Sequence, residues 1–316
     1  MQTWITIIIA ILIFRGIGIV LRKSQVGSTL ITIAGKLFWL FPLGILGSIM
    51  GNTYFAMFSL FSLFIFLRLP VSIMLQSMYQ LAAMIAPLVS YKFKLPSKEN
   101  YEPKGSYILP FVGKWTVVNG GTTKELSHSW GMLSQRYAYD FIIIDDNGNS
   151  FLEDSRDVQN YHCYGVDIVA PADGVVIDLR KKYKDSYVDG RSIYCDASHI
   201  AGNFVVIQHN NDEYSLIAHL MPDSISVGVG DTVKQGQVIA KCGNTGNSSQ
   251  PHVHFQLQSG KSFFTSVGLP IGFSNIHAQD KKNYSMIDPR PFKDNLQHEG
   301  NTVYIGRGLE VENMVN

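Results

Sequence analysis

Hydrophobic residues are distributed very unevenly along this chain. From Met1 to about Ser90 it is almost unbroken Leu, Ile, Phe, Met and Gly, whereas from Lys92 onward it is an ordinary polar mixture with Asp, Asn, Lys and turn residues throughout. A bilayer core takes about 20 apolar residues as a helix. The run "WITIIIAILIFRGIGIVL" meets this if Arg15 snorkels to a surface. No charge interrupts the stretch from Leu37 to Leu67. As one helix it would measure about 46 Å, too long for a core of about 30 Å, so the chain must turn, and "GNT" at Gly51 to Thr53 is the place. The first limb of that hairpin begins near Ser28 and carries Lys36, and Leu69 to Ser90 supplies a further segment. The pattern predicts an α-helical membrane region over 1–92 with about four spans, three being the alternative. A cleaved signal peptide fits poorly, because no basic residue precedes the first apolar run and no cleavage site ends it.

The rest of the chain has a different period. A polar link, 93–107, contains "KLPSKENYEPKGSY"; after it short apolar runs alternate with the turn signals "VVNGG", "DDNGN", "PADG", "NND" and "GNTG". That spacing predicts an all-β domain of antiparallel sheet over 108–275, with no long helix between Ile108 and Leu269. "GNFVVIQHNNDEYSLIAHLMP" reads as a hairpin through Asn210 to Asp212. Residues 276–316 read as a polar extension.

Charge and cysteine content narrow the classes. A formal net charge of +1 argues against a nucleic-acid surface. Cys163, Cys195 and Cys242 form neither a disulfide scaffold nor a C-x-x-C zinc pattern. No G-x-x-x-x-G-K-[ST] loop is present, which disfavours a nucleotide enzyme. "APADGVV" with "GDTVKQGQVI" suggests a biotinyl- or lipoyl-like carrier, but no lysine stands at the hairpin tip such a carrier needs.

Candidate chemistry centres on "SSQPHVHFQL". Residues two apart on a strand share a face, so His252, His254 and Gln256 point one way and Val253, Phe255 and Leu257 the other. Neutral imidazole is the commonest metal ligand and a proton carrier near neutral pH. His219 ends "YSLIAHL"; continued as a strand, Ser215, Ile217 and His219 share a face, so His219 can point where the histidine pair points.

The ordered set "AHL", then "VGVGDTVKQGQVIAKCGNTGNSSQPHVHF", resembles the lysostaphin-type zinc metallopeptidases, which cut peptide bonds in bacterial peptidoglycan. "GVDIVAPADGVV" resembles a strand entering that family's catalytic sheet, and the likeness covers roughly Trp115 to Leu257. It implies one Zn²⁺ per chain, with His254 as a ligand and His252 and His219 serving the reaction. The family's other two ligands are a His and an Asp in H-x-x-x-D. Here "RYAYDF" supplies Asp140, but Arg136 stands where the histidine should be. His128 is the replacement expected, giving His128, Asp140 and His254 as the metal set; His162 with Asp167 is the competing pair. Such a set leaves one tetrahedral position open. Asn203 and Tyr214 are further candidates for shaping a cleft, and His209 for supporting it.

The partners implied are peptidoglycan peptides and a lipid bilayer, with no nucleic acid. The departure at Arg136 keeps open a non-catalytic membrane protein that binds peptidoglycan or regulates another hydrolase. Arg22, Lys23 and Arg68 place their loops in the cytoplasm by the positive-inside tendency, against the pull of Lys92, Lys94, Lys98 and Lys104. Peptidoglycan lies outside the membrane, so the function implied requires the peptidase domain on the extracytoplasmic side.

Overall fold

A computed structural model describes residues 2–21, 25–64, 67, 71–188 and 199–314 of the 316-residue chain. Arg22, Lys23, Arg68 and Cys195 lie outside the described residues. The chain divides into two compact units, Met1–Leu75 and Gln76–Asn316.

The first unit is helical. Helices Gln2–Leu21 and Gln25–Leu37 are followed by a short 3₁₀ turn, Phe38–Leu40, and helix Phe41–Ile49. The chain turns at Gly51, with φ +68°, and Asn52 caps the return by accepting from the backbone of Tyr54 and Phe55. This is where the unbroken apolar run was expected to fold back. Gly44 and Gly47 allow the limbs to close, since a Cβ at either would collide with Ser59 or Phe55. Among the described residues one helix, Thr29–Ile49, is long and apolar enough to cross a membrane; Ile8–Gly18 and Thr53–Phe64 are shorter apolar helices. Leu69 lies outside the described residues; the described part of the segment to Ser90 provides no such helix, and from Gln76 onward it belongs to the second unit.

The second unit is built on antiparallel sheet. In chain order its strands are β1 (Trp115–Asn119), β2 (Tyr139–Ile142), β3 (Asp167–Val169), β4 (Gly174–Arg180), β5 (Phe204–Asn210), β6 (Glu213–Ala218), β7 (Thr232–Val233), β8 (Val238–Lys241), β9 (Val253–Gln258), β10 (Gly268–Leu269), β11 (Ile276–Asp280), β12 (Leu296–Glu299), β13 (Thr302–Ile305) and β14 (Leu309–Asn313). The main sheet runs β11-β14-β1-β2-β9-β6-β5-β4-β7, with β10 on β9; β3 pairs with β8 and β12 with β13. Only short 3₁₀ turns interrupt the strands between Ile108 and Leu269.

Alternation gives the main sheet two unlike faces. Val117, Phe141, Val205, Ile217, Phe255 and Leu257 point to the larger core, shared with Ile168 and Ile239 of the β3–β8 pair. The other face carries Phe204, Val206, Leu216 and Ala218, covered by Phe263. Asp140 and His254 lie directly opposite one another on this second face, as do Asn119 and Asp140.

Two parts of the polar sequence prove to be built into the domain. Residues after 276 supply β11 and β14, and β14 pairs directly with β1. The link is tied down by Glu213, a fully buried carboxylate. It accepts from Tyr101 Oη (2.6 Å), Tyr107 Oη (2.7 Å), Asn210 Nδ2 (2.6 Å), and the amides of Lys104 (2.6 Å) and Gly105 (3.1 Å).

Candidate active site

The second sheet face opens into a cleft of about 260 Å³ lined by His128, Gln135, Asp140, His219, His252 and His254, with Ile200, Ala201 and Phe263 as its apolar wall and Asn247 and Ser249 at its rim. The expected metal set (His128, Asp140, His254) and the two expected catalytic histidines (His219, His252) therefore meet in one place. The competing pair does not. Asp167 is on β3, bound to Lys241 at 2.6 Å, and neither it nor His162 lines the cleft.

At the centre Asp140 Oδ1 lies 2.9 Å from His254 Nδ1 and 3.8 Å from His252 Nε2, while Oδ2 lies 3.9 Å from His128 Nδ1. Hydrogen placement on His254 follows from a chain of amides along β9. Gly260 O can only accept, and it takes the bond from Gln258 Nε2 at 2.7 Å. Gln258 Oε1 therefore faces Gln256 Nε2, 2.5 Å away, and Gln256 Oε1 faces His254 Nε2 at 2.9 Å. Nε2 must carry the hydrogen, so the lone pair of neutral His254 lies on Nδ1, directed at a carboxylate oxygen. Two acceptors at 2.9 Å repel unless a proton or a metal cation lies between them. Burial opposes charging His254, but the hydrogen bond and charge of Asp140 raise its pKa. Burial likewise pushes the Asp140 carboxyl up, but His254, with His252 and His128 beyond, holds it well below the usual carboxylate range.

The two other histidines are oriented by backbone carbonyls. His219 Nδ1 donates to Thr245 O at 2.7 Å, and His252 Nδ1 to Gln250 O at 2.8 Å with Ser248 Oγ at 3.0 Å. Each ring thus leaves Nε2 as its basic nitrogen. Their ring centres are 4.5 Å apart. Burial lowers the pKa of both, and for His219 the neighbouring His252 and His254 lower it further.

His219 reaches the cleft by a route that alternation does not predict. Ser215 and Ile217 pair with Leu257 and Phe255, on the larger-core face. Strand β6 ends at Ala218, and His219 adopts φ +62°, a left-handed conformation uncommon outside glycine. That single torsion carries its ring to the face that holds His254. The expected sharing of a face with Ser215 and Ile217 is thus corrected, although the residue arrives where it was expected.

Asn119 was not anticipated. Its Oδ1 accepts from the amide of His128 at 2.8 Å, which turns Nδ2 towards Asp140 Oδ2 at 3.0 Å. One side chain therefore locates both the carboxylate and the loop that bears His128. The same loop is folded by Arg136, whose Nε donates to Trp130 O and whose guanidinium lies over the Trp130 ring. Asn203 and Tyr214 do not line the cleft. Asn203 is fully buried and holds the Tyr183 and Leu220 backbones, and Tyr214 bonds to Gln208 and Asn211. His209 is also elsewhere, bonded to Asp173 O and Ser215 Oγ beside Tyr107.

The donor set suits zinc in kind: nitrogen and oxygen ligands, with His254 oriented by a bond from its other nitrogen, as metal-binding histidines are. Tetrahedral ligands stand roughly 3.3 Å apart, close to the Asp140–His254 separation. Among the described residues no three His, Cys, Asp or Glu side chains form a closed coordination group. The open member is His128, whose side chain is 60% exposed.

A sequence profile for Peptidase family M23 matches residues 159–265, a stretch that holds His219, His252 and His254 but not His128 or Asp140. An uncharacterized metalloprotease of Haemophilus influenzae is 30% identical over 122 residues, 38% of this chain and 22% of the relative. The peptidoglycan DD-endopeptidase ShyB of Vibrio cholerae is 42% identical over 69 residues (22% and 16%), and the murein hydrolase activator NlpD of Escherichia coli 42% over 76 (23% and 19%). This chain spans about a fifth of the length of each of these relatives. Among solved structures, a zinc-containing peptidase from Vibrio cholerae aligns over 52% of this chain and 39% of its own, at 24% identity and a TM-score of 0.31. With its His-x-His on β9 and its third histidine at the end of β6, the segment 159–265 is similar to Peptidase family M23.

Proposed function

We propose that the protein is a zinc-dependent endopeptidase that hydrolyses peptide bonds of bacterial peptidoglycan, anchored in the membrane by its N-terminal apolar helices with the peptidase domain on the extracytoplasmic side. The observation that carries this reading is the pairing of Asp140 and His254 beside two neutral histidines whose basic nitrogens are left free by backbone carbonyls. His128, Asp140 and His254 would hold the metal, which supplies a Lewis acid and an acidified water when bound. His219 and His252 are placed to take a proton from the attacking water and deliver it to the departing amine. With rings 4.5 Å apart they do not both carry charge readily, so one proton is passed at a time. The wall of Ile200, Ala201 and Phe263 keeps solvent from one side of the scissile bond.

A second reading is a domain that binds peptidoglycan and regulates another hydrolase. The exposure of His128 and the likeness to a protein named as an activator support it. Zinc content and turnover separate the two. The purified full chain should hold about one zinc and cleave cross-linked wall peptides, and His254→Ala should remove most of the metal. His219→Ala and His252→Ala should each keep zinc but slow cleavage by about 10²-fold or more. Full zinc in His254→Ala would sink the ligand assignment. A zinc-free, inactive wild type would favour the regulator.

A further inference from the structure

Residues 76–90 form an amphipathic segment turned inside out. They comprise the end of helix Val71–Ala83 and helix Ile85–Ser90, joined by hydrogen bonds from Met84 N to Gln80 O and from Leu88 N to Met84 O. The side turned to the β domain is partly polar: Gln80 is buried, and Gln76 Oε1 accepts from Ile200 N at 2.9 Å. Tyr79 meets Phe264 edge-on at 5.3 Å. The outward side is aliphatic. Met78, Leu81, Ile85 and Val89, at spacings of three, four and four, make one stripe, and each is at least 60% exposed. Apolar side chains gain by leaving water, so a contiguous stripe of four calls for a partner surface.

The sequence around it selects the partner. No Asp or Glu occurs between Gln76 and Lys98, while Lys92 and Lys94, just beyond the stripe, are exposed cations. Aliphatic surface with charge of one sign fits an anionic lipid surface. The docking contacts also exclude a span. Gln76 and Tyr79 touch Ile200 and Phe264, and Gln76 to Ser90 is about 21 Å of helix. A perpendicular helix would pull those loops, with Lys261 three residues from Phe264, deep into hydrocarbon, where a charge is costly.

We propose that residues 76–90 lie in the plane of an anionic bilayer with the Met78–Val89 stripe among the acyl chains. Because Ile200 and Phe263 line the cleft and Ile200 touches this segment, the cleft wall is held at the membrane surface. The substrates are then wall peptides tethered close to the bilayer; only this last clause rests on the peptidase reading.

The test uses the full chain carrying Cys195→Ser, in bilayer discs containing phosphatidylglycerol. Met78→Cys, Leu81→Cys, Ile85→Cys and Val89→Cys are spin-labelled one at a time, and depth is read from relaxation by oxygen and by a water-soluble nickel complex. All four should share one shallow depth of about 5–10 Å. A depth changing by about 1.5 Å per residue would mean a span and overturn the proposal. So would water-like exposure at all four positions, or spin–spin broadening from a second copy. In the same discs, a wall peptide tethered to lipid should be cut at least about tenfold faster than the free peptide. Leu81→Glu with Ile85→Glu should abolish that preference and leave the free-peptide rate unchanged; a preference that survives overturns the substrate clause. Failure to cut either peptide would reject the peptidase reading, while the depths still decide where the helix lies.

Discussion

The hydrogen on His254 is placed from six residues away, at the carbonyl of Gly260, through Gln258 and Gln256. Gln256→Met should release Nε2 and weaken zinc binding about 10–100-fold, whereas Gln256→Glu, which still accepts from Nε2, should stay near wild type. Competition against a chromogenic chelator measures both, and equal losses would show that the amide only fills space. If His128 closes on the metal, His128→Ala should lower zinc affinity and His162→Ala should not; the opposite result would return Asp167 to the site. The histidines of the cleft were legible because His-x-His has the strand period, and Asp140 because "RYAYDF" resembles the family's H-x-x-x-D. Asn119 could not, since its importance comes from register with Asp140, 21 positions on, across the loop between β1 and β2. Nor could the torsion of His219, because alternation assumes that a strand continues.

Among the elements, turn chemistry marked the strands well, and the β5–β6 hairpin falls where "NND" places it. The last strand was hidden by composition. "LEVEN" alternates cleanly, with Leu309 and Val311 buried, but its glutamates made the segment read as an extension. In Leu69 to Ser90 an average over a window does not register that Gln80 is buried while Met78 and Leu81 are exposed. The link to the β domain owes its order to Glu213. Burial raises the pKa of that carboxyl, but the hydroxyls of Tyr101 and Tyr107, the Lys104 amide and Asn210 outweigh it and lower the pKa. A lowered folded-state pKa contributes stability that is complete above the unfolded value and lost as pH falls through the folded one. Glu213→Gln should therefore cost about 2–4 kcal/mol at pH 7, seen in denaturant melts. The gap to wild type should narrow below about pH 4.5, and a gap that persists in acid would contradict the ionised state.

At the scale of the whole molecule, sidedness decides the role. Protease added to intact, wall-stripped cells should digest the domain from Tyr101 onward; protection until the membrane is broken would contradict the wall-cleaving function whatever zinc the protein holds. The topology also bears on when the candidate site is completed. Strand β1, which carries Asn119, lies between β2 and β14, so the strand that aligns the carboxylate is flanked by residues made almost two hundred positions later. Pairings that distant form late in folding. A partly synthesised chain can hold every candidate ligand and catalytic histidine and still lack the strand beside β1. The order of synthesis thus leaves the sheet beside Asn119 unfinished until residues 309–313 have emerged and docked.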